Sequence, residues 1–426
     1  MRRHFLTLIV SILMVVMTLT ACTTDSHGIH SYSIAEGEGD NITYKNFGEG
    51  ISEDTVFELG SNGKTVAAYI ALKLVDEGKI ALDDNIAQYL DKDLLTSDSR
   101  MNDITLRQLL SHMAGFSPSY EFGVDKNIYS DPGETFRYSG VGYIYLQNVI
   151  EKVSGMTFEE AAKHYVFTPL GMENSTFEHT KAVTPYINLS SVTLYAFVVF
   201  LAAFILLFAI AAIVGKITRF RFYKLRTALI VCFVIAGIIN IAALLLILSK
   251  VTVVFLIYFA VSLVLLLLTR KKKGLFYTVV PAITLVLLIA GFTIRGSLPV
   301  TDDLIHKDAN CAYSLRSTSR DMAVFCREVM NQHSLISGDY SEMLADTVRI
   351  DDKNSWGLGI AIEYDSEGVT YWHSGINPGF QSLYVLYPAK DRFIVVVTNS
   401  DNGLEFAKET ASEYLRVDGT WDIVRQ

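Results

Sequence analysis

Four apolar runs occupy residues 192–214, 227–248, 251–269 and 275–294. Each holds 19–23 residues without one charged side chain, long enough to cross a hydrocarbon core of roughly 30 Å as a helix. Core helices of that length would carry a polar face, and these runs have none. The pattern predicts four membrane helices in the middle of the chain. Lys216, Arg219, Arg221, Lys224 and Arg226 separate the first and second runs, and Arg270, Lys271, Lys272 and Lys273 separate the third and fourth. Only Lys250 lies between the second and third. Positive loops stay on the cytoplasmic side, so both flanks, before residue 190 and after residue 296, are expected outside. An even number of crossings allows the two flanks to form one domain. The runs hold no acid and no ionisable pair, so anchoring or partner contact is expected of them rather than transport.

The charge is uneven in the same way. No Asp or Glu falls between Glu178 and Asp302, an interval with twelve Lys and Arg, yet the whole chain of 426 residues carries −9. The flanks are therefore strongly acidic, which argues against nucleic acid as a partner. The chain starts with the basic Arg2, Arg3 and His4, followed by an apolar stretch over residues 5–19. This is the pattern of a secretory signal. It runs into Leu19-Thr20-Ala21-Cys22, which resembles the lipobox of bacterial lipoproteins and marks Cys22 for lipidation. An uncleaved anchor is the alternative, and either form ties the chain to membrane lipid. The four cysteines, Cys22, Cys232, Cys311 and Cys326, fit no zinc spacing. Cys311 and Cys326 either pair outside the cell or remain two buried thiols.

In the first flank, residues 29–34 and 42–47 read as strands joined by a turn at Glu36-Gly37-Glu38-Gly39-Asp40. Next comes Val56-Phe57-Glu58-Leu59-Gly60-Ser61-Asn62-Gly63-Lys64-Thr65, then apolar Val66, Ile70, Leu74 and Val75 at helical spacing, with a stop at Gly78. Ser61 and Lys64 are three apart, so they share one face of a helix that begins near Ser61. A lysine amine one turn from a hydroxyl can activate it as a nucleophile. Gly63-Lys64-Thr65 also looks like the end of a phosphate-binding loop, but that loop needs glycine where Glu58 stands.

The order of further segments carries a resemblance. Gly78-Lys79-Ile80-Ala81-Leu82-Asp83-Asp84 follows the Ser61 segment, and then comes Ile104-Thr105-Leu106-Arg107-Gln108-Leu109-Leu110-Ser111-His112-Met113-Ala114-Gly115-Phe116. Asp131-Pro132-Gly133-Glu134-Thr135-Phe136-Arg137-Tyr138-Ser139-Gly140 and Thr168-Pro169-Leu170-Gly171-Met172 complete the first flank. In the second flank, Ser314-Leu315-Arg316-Ser317-Thr318-Ser319-Arg320-Asp321-Met322-Ala323, Trp356-Gly357-Leu358-Gly359-Ile360 and Tyr371-Trp372-His373-Ser374-Gly375-Ile376-Asn377 continue the series. Together they resemble the serine β-lactamase and penicillin-binding protein superfamily, class C branch, over residues 29–185 and 300–416. Strands at 383–387 and 393–398 and a closing helix at 403–415 fit the same plan.

The resemblance implies an α+β fold of the β-lactamase/transpeptidase type, an antiparallel sheet flanked by helices plus a helical subdomain, which the four transmembrane helices expected from the apolar runs would interrupt. The parts are residues 1–22 as signal peptide or anchor, 23–188 and 298–426 as two pieces of a serine hydrolase domain, and 189–297 as the membrane insertion. It implies acyl transfer through a serine ester without cofactor or metal. Ser61 would be the nucleophile, Lys64 its activator and Tyr138 the proton relay. His373, on an edge strand, would fix a substrate carboxylate or share the relay. The oxyanion would be held by the N–H groups of Ser61 and Ile376, and Ser374, Gly375, Ser139 and Gly140 would line the substrate site. Gly375 would let substrate backbone approach the strand. Cell-wall D-amino-acid peptides, β-lactams or esters are the expected substrates, met on the extracytoplasmic side of a bacterial membrane.

The sequence departs from the family pattern at Gly140, where the second element has an asparagine that grips substrate and lysine. The part before Ser61 is also too short for the family's first helix. A catalytically weak or inactive sensor, binding wall fragments and signalling through the membrane helices, is the alternative expectation.

Overall fold

The computed structural model describes residues 28–118, 124–180, 182–188, 297–299, 309–331 and 341–422. The chain divides into two compact units, a larger one of residues 31–183 and 305–426 and a smaller one of residues 1–30 and 184–304. The expected signal region, Cys22 and the four expected membrane spans lie outside the described residues. Among the described residues no helix is long and apolar enough to cross a membrane.

Among the described residues ten strands belong to the larger unit: β1 (Tyr32–Glu38), β2 (Asn41–Phe47), β3 (Phe57–Gly60), β4 (Leu315–Ser317), β5 (Val348–Arg349), β6 (Asn354–Trp356), β7 (Ala361–Tyr364), β8 (Val369–Asn377), β9 (Phe380–Tyr387) and β10 (Arg392–Thr398). Eight of them form one antiparallel sheet in the order β2-β1-β10-β9-β8-β7-β6-β5. The middle strands are the most β-branched and apolar. Phe393-Ile394-Val395-Val396-Val397 on β10 is buried throughout, as a strand covered on both faces must be. Alternation sends Phe393, Val395 and Val397 into the main core and Ile394 and Val396 to the opposite face.

The helices that matter here are α1 (Gly63–Asp76), α2 (Leu106–Leu110), α3 (Gly140–Ser154), α4 (Phe158–Ala162), α5 (Ser319–Asn331) and α6 (Gly403–Leu415). α1 and α5 share the main core with the sheet, and Tyr69 of α1 donates to Glu328 of α5 at 2.8 Å. α6 packs on β9 and β10. α2, α3 and α4 make the helical layer beside α1. Both short helices open on capping boxes, Thr105 with Gln108 for α2 and Thr157 with Glu160 for α4. Each box satisfies backbone N–H groups that the first turn leaves without partners.

Several sequence expectations shift by a few residues. The first hairpin turns at Gly39-Asp40, so β1 runs further than expected and β2 starts at Asn41. α1 starts at Gly63 rather than at Ser61. The stretch 356–360 is a strand only at its first residue, because Gly359 takes φ +83° and turns the chain between β6 and β7. The closing helix occupies the expected residues. Cys311 and Cys326 are buried free thiols, not a disulfide.

The two flanks of the sequence are joined at β3 and β4. They pair antiparallel, with Phe57 opposite Ser317 and Glu58 opposite Arg316. Glu58 and Arg316, 258 positions apart, form a buried ion pair. Asn377 of β8 donates to the other Glu58 oxygen at 3.0 Å. In the smaller unit, strands Tyr186–Asn188 and Ser297–Pro299 pair antiparallel, and His30 stacks on Tyr186 at 3.5 Å. The two ends of the intervening stretch are thus neighbours.

Removing one partner of a buried pair leaves an uncompensated charge, at a cost of about 3–5 kcal/mol. All three tryptophans, Trp356, Trp372 and Trp421, lie in the larger unit, so their fluorescence follows its unfolding. Arg316→Leu is expected to lower its unfolding free energy by an amount in that range, read as a fall in the urea midpoint at unchanged m value, and an unchanged midpoint contradicts the role given to the pair.

Candidate active site

Ser61 sits in the turn between β3 and α1. The turn is closed by Asn62 N–H donating to Leu59 O at 3.2 Å and Lys64 N–H to Ser61 O at 3.0 Å. Gly60 takes φ +51°, a left-handed value that costs a side chain energy and glycine nothing. It is also crowded, since a methyl on Gly60 would lie 2.9 Å from the Ile376 amide nitrogen. That closeness brings the Ile376 N–H beside the Ser61 turn. The Ile376 side chain is half exposed, at 50 %.

Lys64 is on the first turn of α1 with 2 % of its surface exposed. Its Nζ lies 2.9 Å from Ser61 Oγ and donates to Ala312 O at 2.6 Å. Burial of the ammonium pulls its pKa down to about 7, because a charge leaving water disfavours the protonated form. The Ala312 carbonyl thus holds the lysine, a service the resemblance assigned to an asparagine at position 140.

Tyr138 precedes α3, and its ring lies 5.1 Å from Lys64 Nζ. Tyr143 of α3 covers the amine from another side, at 5.7 Å. Ser139 and Gly140, expected beside the substrate, have polar groups committed to the fold. The Ser139 hydroxyl caps α3 by accepting from Gly142 N–H at 2.8 Å and donates to Ser117 O at 2.6 Å. Gly140 N–H donates to Pro118 O.

His373 is on β8, an interior strand of the sheet. The β7 pairing ends at Trp372, so from His373 onward that side of β8 is open. The imidazole is fully buried and its Nδ1 lies 2.8 Å from Ser374 O. A carbonyl only accepts, so Nδ1 carries the proton and Nε2 presents a lone pair. Burial, and then the nearby Lys64 charge, pull its pKa to about 3. His373 is therefore neutral and supplies no positive charge to a substrate carboxylate. A methyl on Gly375 would come 1.8 Å from Leu59 O, so its missing side chain admits the protein's own β3. Ser374 contributes its carbonyl to His373 and is nearly buried.

One residue was missed as a site residue although its segment was recognised. His112 follows α2, is buried, and packs on Tyr138 with ring centroids 4.4 Å apart. Its signal was a histidine directly after a short helix, where a chain reversal was due. The Ala312 carbonyl had no signal at all, because any residue supplies one.

A sequence model of the Beta-lactamase family matches residues 18–188 and 294–418. The chain belongs to this family of serine hydrolases. The matched stretches stop and resume on either side of the apolar runs. Penicillin-binding protein 4 of Amycolatopsis lactamdurans is 25% identical over 149 residues, 32% of this chain and 39% of that protein. Penicillin-binding protein 4* of Bacillus subtilis (strain 168) is 25% identical over 196 residues, 39% of this chain and 42% of that protein. The alignments thus span less than half the length of these curated relatives. Among solved structures, a beta-lactamase/D-alanine carboxypeptidase from Pseudomonas syringae superposes with a TM-score of 0.58 at 15% identity, covering 97% of this chain and 99% of that one. A D-amino acid amidase from Ochrobactrum anthropi SV3 gives 0.57 at 14%, covering 92% and 94%. At such identities the likeness is one of fold.

The neutral amine of Lys64 is the form that can accept the Ser61 proton, so low pH removes it. The rate of Ser61 acylation by a fluorophosphonate should rise with pH, reaching half its plateau near the Lys64 pKa of about 7. Lys64→Met should lower the plateau about 100-fold or more. A rate flat from about pH 5 to about pH 9 contradicts the assignment of Lys64 as base.

Proposed function

We propose that this protein is a membrane-anchored, extracytoplasmic serine hydrolase that works through an acyl-enzyme on D-amino-acid peptides, amides or esters. The observation that carries the reading is the 2.9 Å contact between Ser61 Oγ and a buried Lys64 amine. Lys64 takes the Ser61 proton as Oγ attacks the substrate carbonyl. The N–H groups of Ser61 and Ile376 receive the oxyanion. Tyr138 carries the proton to the leaving group, and water then releases the acyl chain by the same path. His373, with a bare Nε2 in this neighbourhood, accepts a hydrogen bond rather than offering charge. Substrates that need no cation for a free carboxylate, such as D-amino-acid amides and esters, suit it best.

The relatives named as penicillin-binding proteins and the fold neighbour named as a D-amino acid amidase support this substrate class. Anchoring rests on the four apolar runs and the segment ending at Cys22. The pairing of Tyr186–Asn188 with Ser297–Pro299 supports an even number of crossings, since it brings the segment's two ends together.

The test compares D-alanine p-nitroanilide, a D-alanyl-D-alanine peptide and nitrocefin on the full chain and on Ser61→Ala. Turnover of the anilide should exceed that of the peptide and vanish in Ser61→Ala. Acylation of Ser61 with no turnover of any of the three would move the protein to the sensor reading, which the missing asparagine at Gly140 favours.

A further inference from the structure

We propose that His112 is the positioning residue that holds Tyr138 in its working place, an assignment that rests on the role given to Tyr138 above. His112 stands directly after Ser111, the last residue of the α2 turn, with φ +59°. That left-handed position after a helix ordinarily goes to glycine or asparagine. A histidine there pays a steric cost that persists only where the surroundings hold it, most often at functional sites. Its ring is buried rather than turned to solvent.

His112 brackets Tyr138 on three sides. Its backbone oxygen accepts from the N–H of Arg137, the residue before, at 2.9 Å. Its ring Nδ1 accepts from the N–H of Ser139, the residue after, at 3.1 Å. Its ring then packs on the Tyr138 ring itself, at 4.4 Å between centroids. Because Nδ1 accepts, the neutral ring carries its proton on Nε2. Trp356 and Tyr143 close the pocket, each 5.0 Å from the His112 ring centroid. Ser139 is also the cap of α3, so the imidazole fixes both the entry to that helix and the tyrosine in front of it. Carbonyl, Nδ1 and ring face act on three consecutive residues, with the middle one facing Lys64.

The test uses the full chain and the rate of acylation by a fluorescent fluorophosphonate, resolved into probe binding and the acylation step. His112→Gly relieves the φ +59° strain but leaves the space of the ring empty and the Ser139 N–H without its acceptor, so the chain should fold with a lowered melting temperature. The acylation step should slow by about tenfold to a hundredfold with probe binding unchanged, as expected when a reacting group loses its orientation. His112→Asn tolerates the same backbone and offers Oδ1 where Nδ1 was, so it should restore most of the rate. In a Tyr138→Phe background, His112→Gly should cost less than about twofold more, because the two act as a unit. A folded His112→Gly with the wild-type step beside a slowed Tyr138→Phe overturns the proposal alone. So does His112→Asn as slow as His112→Gly. A Tyr138→Phe chain at the wild-type rate overturns the role of Tyr138 and this proposal with it.

Discussion

The site depends on a lysine held out of water with no carboxylate among the described residues to balance it. Lys64 spends its hydrogen bonds on Ser61 and on the Ala312 carbonyl, and its nearest rings are Tyr138 and Tyr143. Burying an ammonium is costly unless the group gives up its proton, and the protein accepts that exchange. Near pH 7 the amine is poised between its two forms, which is what a base working on a serine hydroxyl needs. The neighbours follow the same rule. His373 and His112 are both held neutral, chiefly by burial, and burial keeps the Cys311 thiol protonated. No fixed charge competes with Lys64 for the Ser61 proton within this group.

Holding such a residue requires a rigid frame, and the frame is assembled from both ends of a long sequence. Ser61 and Lys64 come from the first flank; Ala312, His373 and Ile376 come from the second. The β3–β4 pairing and the Glu58–Arg316–Asn377 network bind the flanks directly behind the nucleophile. Gly375 lets β8 close against Leu59, and Gly60 lets the Ser61 turn pass Ile376. A methyl at either position would push apart the elements that define the site.

Much of this was legible in the sequence, for physical reasons that differ by element. α6 was readable because its apolar period is regular, β10 because of its β-branched run, and β9 because a short aromatic and aliphatic run is bounded by Pro388 and its turn. The segments of Ser61, Lys64 and Tyr138 could be picked out because their order is specific, and the fold brings the three side chains together. The glycines were less so. Gly375 could be seen to permit a close approach, but whether to substrate or to β3 depends on a contact between residues far apart in the chain. Ser139 had the same ambiguity, since a hydroxyl ahead of a helix can cap it or bind a ligand. The charge of His373 could not be read, because its tautomer and its burial are set by the folded surroundings.

The central claim is that Ser61 is the residue the fold activates. Its most direct measurement is to treat the full chain with a fluorophosphonate, digest it and locate the adduct by mass spectrometry. The account predicts one adduct, on Ser61, which disappears when the chain is unfolded before treatment. An adduct on another serine, or labelling of Ser61 that survives unfolding, contradicts it.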